Sequence, residues 1–212
     1  MLDLRIGARA ALALAAASGP ATARELVTES PEKSETSGSP ASSARPTTAA
    51  GWLVLAVATA GGAGYGPYAP GTFGSAAGVI LFLPLAGLGF PLFVLTTAAL
   101  TALGVWAADE AERLFEKKDD GRIVIDEVAG QLVTLSPLLL LAPEKSFSPF
   151  WLVTGFVVFR VFDIWKPGPA RWAERNLRGG MGVVMDDVIA GFFGALVMAA
   201  AIAVGLVLGG AA

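Results

Sequence analysis

The stretch Phe159-Arg-Val-Phe-Asp-Ile-Trp-Lys-Pro-Gly-Pro169 places Arg160, Asp163 and Lys166 within an otherwise apolar run. A second stretch, Gly179-Gly-Met-Gly-Val-Val-Met-Asp-Asp-Val-Ile-Ala-Gly191, does the same for Asp186 and Asp187. A charge at the centre of a membrane helix costs roughly 2.5–3.5 kcal/mol on insertion scales, so an ionisable group in such a run is a functional-site candidate. Arg160, Asp163 and Pro167 are spaced i, i+3, i+7, which puts both charges on one helix face. Lys166-Pro167 should end that helix, because proline disfavours helical geometry in the residue before it. The bland reading is an ion pair in which Arg160 and Asp163 only neutralise each other at an interface.

The types of residue present narrow the chemistry. The chain has neither His nor Cys. That excludes zinc sites built on these residues, Ser-His-Asp triads, thiol nucleophiles, and phosphatases with a histidine nucleophile or acid. Of 212 residues, 54% are hydrophobic and 16% charged, and the mean hydropathy is +0.64. A soluble domain carries about 25% charged residues, so this composition points to a membrane protein. The formal net charge is −3 and there is no basic tract, so nucleic acid is not an expected partner.

Three further stretches can contribute to a site. Gly61-Gly-Ala-Gly-Tyr-Gly-Pro-Tyr-Ala-Pro-Gly-Thr-Phe-Gly-Ser75 is too rich in Gly and Pro for a regular helix. It reads as a tight loop with free backbone N–H groups, with Thr72 or Ser75 capping the next helix. Gly71 and Thr72 are then candidates for a phosphate-binding helix N-terminus, the alternative being a plain re-entrant turn between helices. No Gly-Lys-Ser/Thr ending is present, so a nucleotide is not implied. Ile123-Val-Ile-Asp-Glu-Val-Ala-Gly130 puts Asp126 and Glu127 at the start of an apolar helix, where acids also suit the helix dipole. Gly130, four residues after Asp126, allows close approach of another helix. Asp187 and Gly191 repeat that spacing. Residues 166–178, with Trp165 just before them and Trp172 among them, read either as a short amphipathic helix at headgroup level or as an ordinary cytoplasmic connector.

These elements must be held by helices. The chain is expected to be all-α: a membrane-associated bundle of about five to seven helices with the site loops on one face. Residues 1–50 read as a disordered tail and residues 51–212 as the helical domain. The Ala-rich run Ala8–Ala17 follows Arg5 and Arg9 in the manner of a weak signal peptide, but is better read as part of that tail. Helices are expected over Trp52–Ala60, on each side of a turn at Gly87–Pro91, from about Ile123 to Ala142, over Pro149–Trp165, and from Val183 to Leu208. The last would carry Asp186 and Asp187 in its first turn. Loops 109–122 and 166–178 each contain four Lys or Arg, whereas 87–91 contains none and 143–148 only Lys145. The positive-inside rule therefore makes the two basic loops cytoplasmic. Alternating helices then bring the Gly-rich loop, Asp126-Glu127, Asp163-Lys166 and Asp186-Asp187 to one cytoplasmic face of a multi-pass protein. The early helices are short for spans, so a homo-oligomer is left open.

Five carboxylates (Asp126, Glu127, Asp163, Asp186 and Asp187) converging without His suit a hard cation, with Mg²⁺ the expected ion. Each is a candidate metal ligand and a candidate catalytic group. Arg160, Lys166 and Arg171 can bind phosphate oxygens. A cation of this kind beside cationic side chains and a Gly-rich loop is apparatus for phosphoryl transfer.

The blocks Gly64–Ser75, Asp120–Gly130, Phe159–Arg171 and Gly179–Gly191 resemble, in order and spacing, those of the phosphatidylglycerophosphatase A family across residues 52–205. The resemblance implies an all-α fold and Mg²⁺-dependent hydrolysis of phosphatidylglycerophosphate to phosphatidylglycerol at a bacterial cytoplasmic membrane. Carried over by position, it makes Asp126, Glu127, Asp163, Asp186 and Asp187 the acidic site, with Arg160 and Lys166 as phosphate partners. Glu174 and Arg178 depart from the family's pattern, which has a shorter acid and frequently His there. Direct attack by water is expected, since no Cys, His or Asp-x-Asp-x-Thr/Val signature is present to carry a phosphoryl group. The rival reading is a membrane cation or proton transporter, which predicts ionisable residues spread along the depth of the bundle. A lipid phosphotransferase of the CDP-alcohol type is disfavoured, because Ala-Arg does not follow Asp120-Gly121 at the needed spacing.

Overall fold

The computed structural model describes residues 46–209, which form seven α-helices and no strand. In chain order they are α1 (Ala49–Ala58), α2 (Pro70–Ala86), α3 (Phe90–Phe115), α4 (Ile125–Leu141), α5 (Pro149–Trp165), α6 (Gly168–Asn176) and α7 (Gly180–Gly209). The expected tail at 1–50 lies outside the described residues up to position 45. From there Thr48 caps α1, accepting the Gly51 N–H at 3.1 Å.

Prolines mark the starts of the elements. Pro70 and Pro149 open α2 and α5, and Pro91 and Pro169 take the second position of α3 and α6. Fixed φ and a missing donor cost nothing in a first turn. Glu116 and Lys166 end α3 and α5 in left-handed conformations, with φ of 51° and 47°. The expected turn at 87–91 and the end of α5 at Lys166-Pro167 are thus present. Pro137 lies inside α4 and leaves the Val133 carbonyl without its helical donor. The Ser136 hydroxyl donates to that carbonyl at 2.8 Å, so the helix continues to Leu141.

α4 is the central element. Ten of its 17 residues are buried, including Leu132, Leu135 and Leu138 at full burial. α7 packs against it closely, and the contact depends on two glycines. A Cβ on Gly130 would lie 2.5 Å from the Asp187 carbonyl oxygen, and one on Gly191 would collide with the Gly130 carbonyl. The Thr134 hydroxyl lies 3.0 Å from the Gly130 carbonyl and 3.2 Å from that of Gly191, so it ties the two backbones together. The repeated acid-to-glycine spacing is therefore a pair of surfaces that meet. Met198 and Ile202 extend the contact on α7, and Phe82 of α2 meets Phe93 of α3 edge-on at 5.6 Å.

Two boundaries differ from expectation. α2 begins at Pro70, inside the Gly- and Pro-rich stretch expected to be loop up to Ser75, because a proline is accommodated in a first helical turn. α7 begins at Gly180 rather than Val183, so Asp186 and Asp187 lie in its second turn. Gly179 alone makes the break, with φ of +57°, and Gly180 then continues as helix. Gly180 is packed so tightly on α3 that a Cβ would strike the Val105 carbonyl. The Asp109 carboxylate of α3 accepts the Gly180 N–H at 3.3 Å, putting a negative charge at the positive end of α7.

The segment before α4 is fixed by a local ion pair. Arg122 donates to Asp120 at 2.7 and 3.1 Å, and the Asp120 side chain is buried. The Val124 N–H then donates to the Ala58 carbonyl at the end of α1 at 2.9 Å.

Two outcomes are expected. Gly191→Val should lower stability by about 1–3 kcal/mol through overpacking, read as a fall of several degrees in the melting temperature of the detergent-solubilised protein. The second concerns pH. Hydrogen bonds from Arg122, opposed by burial, lower the Asp120 carboxyl from its usual value to about 2. A depressed folded-state pKa stabilises above the unfolded value near 4, and that stability is lost as pH falls through about 2. Asp120→Asn should therefore cost roughly 1–2 kcal/mol at neutral pH. The difference in melting temperature from the wild type should shrink between about pH 4 and pH 2.

Candidate active site

The N-terminal ends of α2, α4 and α7, the C-terminal end of α5, and α6 surround one cavity of about 920 Å³. Asp126, Glu127, Asp163, Asp186 and Asp187 all line it, as do Arg160, Lys166 and Gly71. Sequence spacing brought these groups to one end of the bundle, and the structure places them in one space. Among the described residues, no charged side chain lies in the middle of α2, α4, α5 or α7 away from this end. A path of ionisable groups through the bundle, which a transporter would need, is not present there.

The acids fall into two sets. Asp126, Glu127 and Asp187 can each offer a carboxylate oxygen such that all three lie within 4.8 Å of one another. Asp126 Oδ1 and Glu127 Oε2 are buried and have no hydrogen-bond partner among the described residues. A buried unpaired carboxylate oxygen costs several kcal/mol unless something compensates it. Oxygen donors converging in this way fit a hard divalent cation. Asp163 and Asp186 are instead engaged by cations. Arg160 pairs with Asp163 and also lies 3.4 Å from the buried Ser75 hydroxyl. Lys166 bridges Asp186 at 2.7 Å and Glu174 at 2.9 Å, joining α6 to α7. One oxygen of Asp186, Oδ1, is buried and has no hydrogen-bond partner among the described residues. Burial alone would push the Lys166 pKa down, but the hydrogen bonds to Asp186 and Glu174 outweigh it and hold it above its usual value. Lys166 is therefore an ammonium at any physiological pH.

Two residues singled out in the sequence lie elsewhere. Arg171 points away from the cavity, exposed, and donates to the Trp165 carbonyl at 3.2 Å. Thr72 is exposed and does not line the cavity, because α2 starts at Pro70 with Ala69 before it and no side-chain cap. Ser75 is likewise inside the helix, where its hydroxyl donates to the Gly71 carbonyl at 2.8 Å. Gly71 is at the site for a different reason than its backbone N–H. A Cβ there would collide with Glu127 Oε1 and approach Arg160 Nη1 to 3.2 Å. The Gly-rich segment thus lets α2 close over two charged side chains.

Sequence reasoning missed Glu174 as a site residue, and also Lys118, Asp119 and Arg175, which line the mouth. Their signal was charge in the basic loops, and only contact with the cavity distinguishes them from other exposed charges. In total the cavity is lined by seven carboxylates and four cations. Such an excess of negative charge repels an anionic ligand unless a cation offsets it.

Comparison with known proteins gives this geometry a context. Residues 56–202 match the family described as phosphatidylglycerophosphatase A, a family of phosphatases. The chain is 37% identical over 144 residues to phosphatidylglycerophosphatase A of Escherichia coli strain K12, covering 68% of this chain and 79% of that protein. It is 36% identical over 131 residues to phosphatidylglycerophosphatase A of Haemophilus influenzae, covering 61% and 77%. It is also 37% identical over 155 residues to a Bacteroides thetaiotaomicron protein provisionally named phosphatidylinositol-3-phosphatase, covering 71% and 94%. No solved structure matches the chain.

Gly71→Ala tests the packing of the site. The added methyl must displace Glu127 or Arg160. A displacement near 1 Å in a catalytic arrangement can cost about 100-fold. Phosphate release should fall by at least about tenfold, while the melting temperature stays within a few degrees.

Proposed function

The chain belongs to the phosphatidylglycerophosphatase A family, and we propose that it hydrolyses the terminal phosphomonoester of phosphatidylglycerophosphate, giving phosphatidylglycerol and phosphate, with Mg²⁺ as cofactor. The observation that carries this reading is the trio Asp126, Glu127 and Asp187, with buried unpaired oxygens on the first two, at the floor of a cavity that also holds Arg160 and Lys166. Asp126, Glu127 and Asp187 would hold the cation. When bound, it would neutralise phosphate charge and acidify a water molecule.

The remaining work falls to the chain's own side chains. Arg160 is held by Asp163 and by contact with Ser75, and its other N–H groups can meet a phosphate oxygen. Lys166, fixed between Glu174 and Asp186, supplies a second positive charge. The water oxygen bonds to phosphorus as the ester P–O bond breaks, and the glycerol oxygen leaves as the alcohol. No phosphoenzyme is needed.

The membrane setting belongs to the same proposal. α3 and α7 are long and apolar enough to cross a bilayer, with mean hydropathies of 1.7 and 2.4. Exposed Val153, Val157, Val161, Phe192 and Leu196 face outward from α5 and α7. Tyr65, Trp165 and Trp172 are exposed at the cavity end, and Phe147 and Phe150 at the other, as in the aromatic belts of membrane proteins. With the basic loops on the cavity side, this supports a multi-pass protein of a bacterial inner membrane whose site faces the cytoplasm, serving phospholipid biosynthesis.

The test is phosphate release from phosphatidylglycerophosphate by purified protein, in Mg²⁺ and in EDTA, for wild type and Asp163→Ala. Release should require Mg²⁺, and Asp163→Ala should lose at least about 100-fold, since Arg160 loses its partner. Equal release in EDTA overturns the cation. Absence of release from this lipid by folded wild type overturns the substrate. Release from phosphatidylinositol 3-phosphate instead would assign the Bacteroides relative's substrate.

A further inference from the structure

The inner and outer parts of the cavity differ in how their cations are used. Arg160 and Lys166, near the carboxylates, are both committed to acids. Lys118 and Arg175 line the same cavity, yet neither forms an ion pair among the described residues. Their neighbours show that pairing was available. Lys117 reaches Asp120 at 3.3 Å, and Glu174 is bound to Lys166. Asp119 also lines this wall but makes no ion pair with Lys118. The two free cations come from different elements, Lys118 from the loop between α3 and α4 and Arg175 from α6, and both are exposed where the buried acids are not.

The proposed substrate has two phosphates with different positions. Its terminal monoester must reach the acids at the floor. Its phosphodiester lies one glycerol unit further out and keeps one negative charge through the reaction. A cavity lined mostly by carboxylates needs unpaired positive charge where that second anion comes to rest. The geometry points to Lys118 and Arg175 as specificity-determining residues that bind the internal phosphodiester, selecting lipids whose monoester sits on a headgroup over those with the monoester on the diacylglycerol itself. This rests on the phosphatase reading above. The two cations act in binding and leave the chemical step to the floor of the cavity.

The experiment compares wild type, Lys118→Gln, Arg175→Gln and the double variant on phosphatidylglycerophosphate and on phosphatidic acid, which has a monoester and no phosphodiester. Arg178→Gln is the control, an exposed cation that does not line the cavity. Each single variant should raise KM for phosphatidylglycerophosphate by roughly tenfold, as expected for a lost charge-assisted hydrogen bond, with kcat within about twofold. The KM for phosphatidic acid, or its Ki as competitor if it is not turned over, should not change, and inhibition by the product phosphatidylglycerol should weaken in parallel. Arg178→Gln should behave as wild type. Equal KM increases for both lipids, the same increase in Arg178→Gln, or no increase at all would overturn the assignment. Failure of the wild type to release phosphate from phosphatidylglycerophosphate would instead overturn the underlying function.

Discussion

The close crossing of α4 and α7 at Gly130 and Gly191 is the constraint on which the rest of the molecule depends. Asp126 and Glu127 stand one turn above Gly130, and Asp187 one turn above Gly191. Only when the two backbones approach this closely do carboxylates from separate helices come within 4.8 Å of each other. Thr134 fixes the crossing by lying within hydrogen-bond distance of both glycine carbonyls. Asp109 holds the start of α7 from α3, and the Asp120–Arg122 pair holds the approach to α4. The packing of apolar helices and the placement of charge are therefore one arrangement.

That arrangement sets an electrostatic problem and its answer. Carboxylates brought together in a half-buried cavity repel one another and any phosphate. The fold offsets part of this internally, through Arg160 on Asp163 and Lys166 on Asp186 and Glu174. Among the described residues, no Lys or Arg forms an ion pair with Asp126, Glu127 or Asp187. A divalent ion held there, as proposed, would complete the balance and supply positive charge beside the substrate phosphate. Lys118 and Arg175 at the mouth form no ion pair among the described residues and so leave positive charge for a second anion, as proposed.

Much of this was legible in the chain. Helix ends followed from proline and glycine chemistry, as at Trp165 and at the turn after Ala86. Convergence of Asp126, Glu127, Asp163, Asp186 and Asp187 followed from charge sidedness and alternation of helices. The departures from expectation share a cause. Thr72 and Arg171 were placed by local pattern, but whether a side chain faces the cavity is set by where its helix starts and turns. α2 begins at Pro70, which moves Thr72 to an exposed position, and the turn at Lys166-Pro167 aims Arg171 outward. The early start of α7 was hidden because Gly180 looks like a breaker, and only contact with Val105 shows why it must be glycine. The capping role of Asp109 joins positions 71 residues apart, beyond any local signal.

The most direct test of the account is a calorimetric titration of Mg²⁺ into the detergent-solubilised protein without lipid, for wild type and Asp187→Asn. The account predicts saturable binding of at least one ion to the wild type, with affinity lost in the variant although it remains folded. Absence of Mg²⁺ binding by a wild-type protein that still releases phosphate in EDTA would contradict it, and the acidic cluster would then need another explanation.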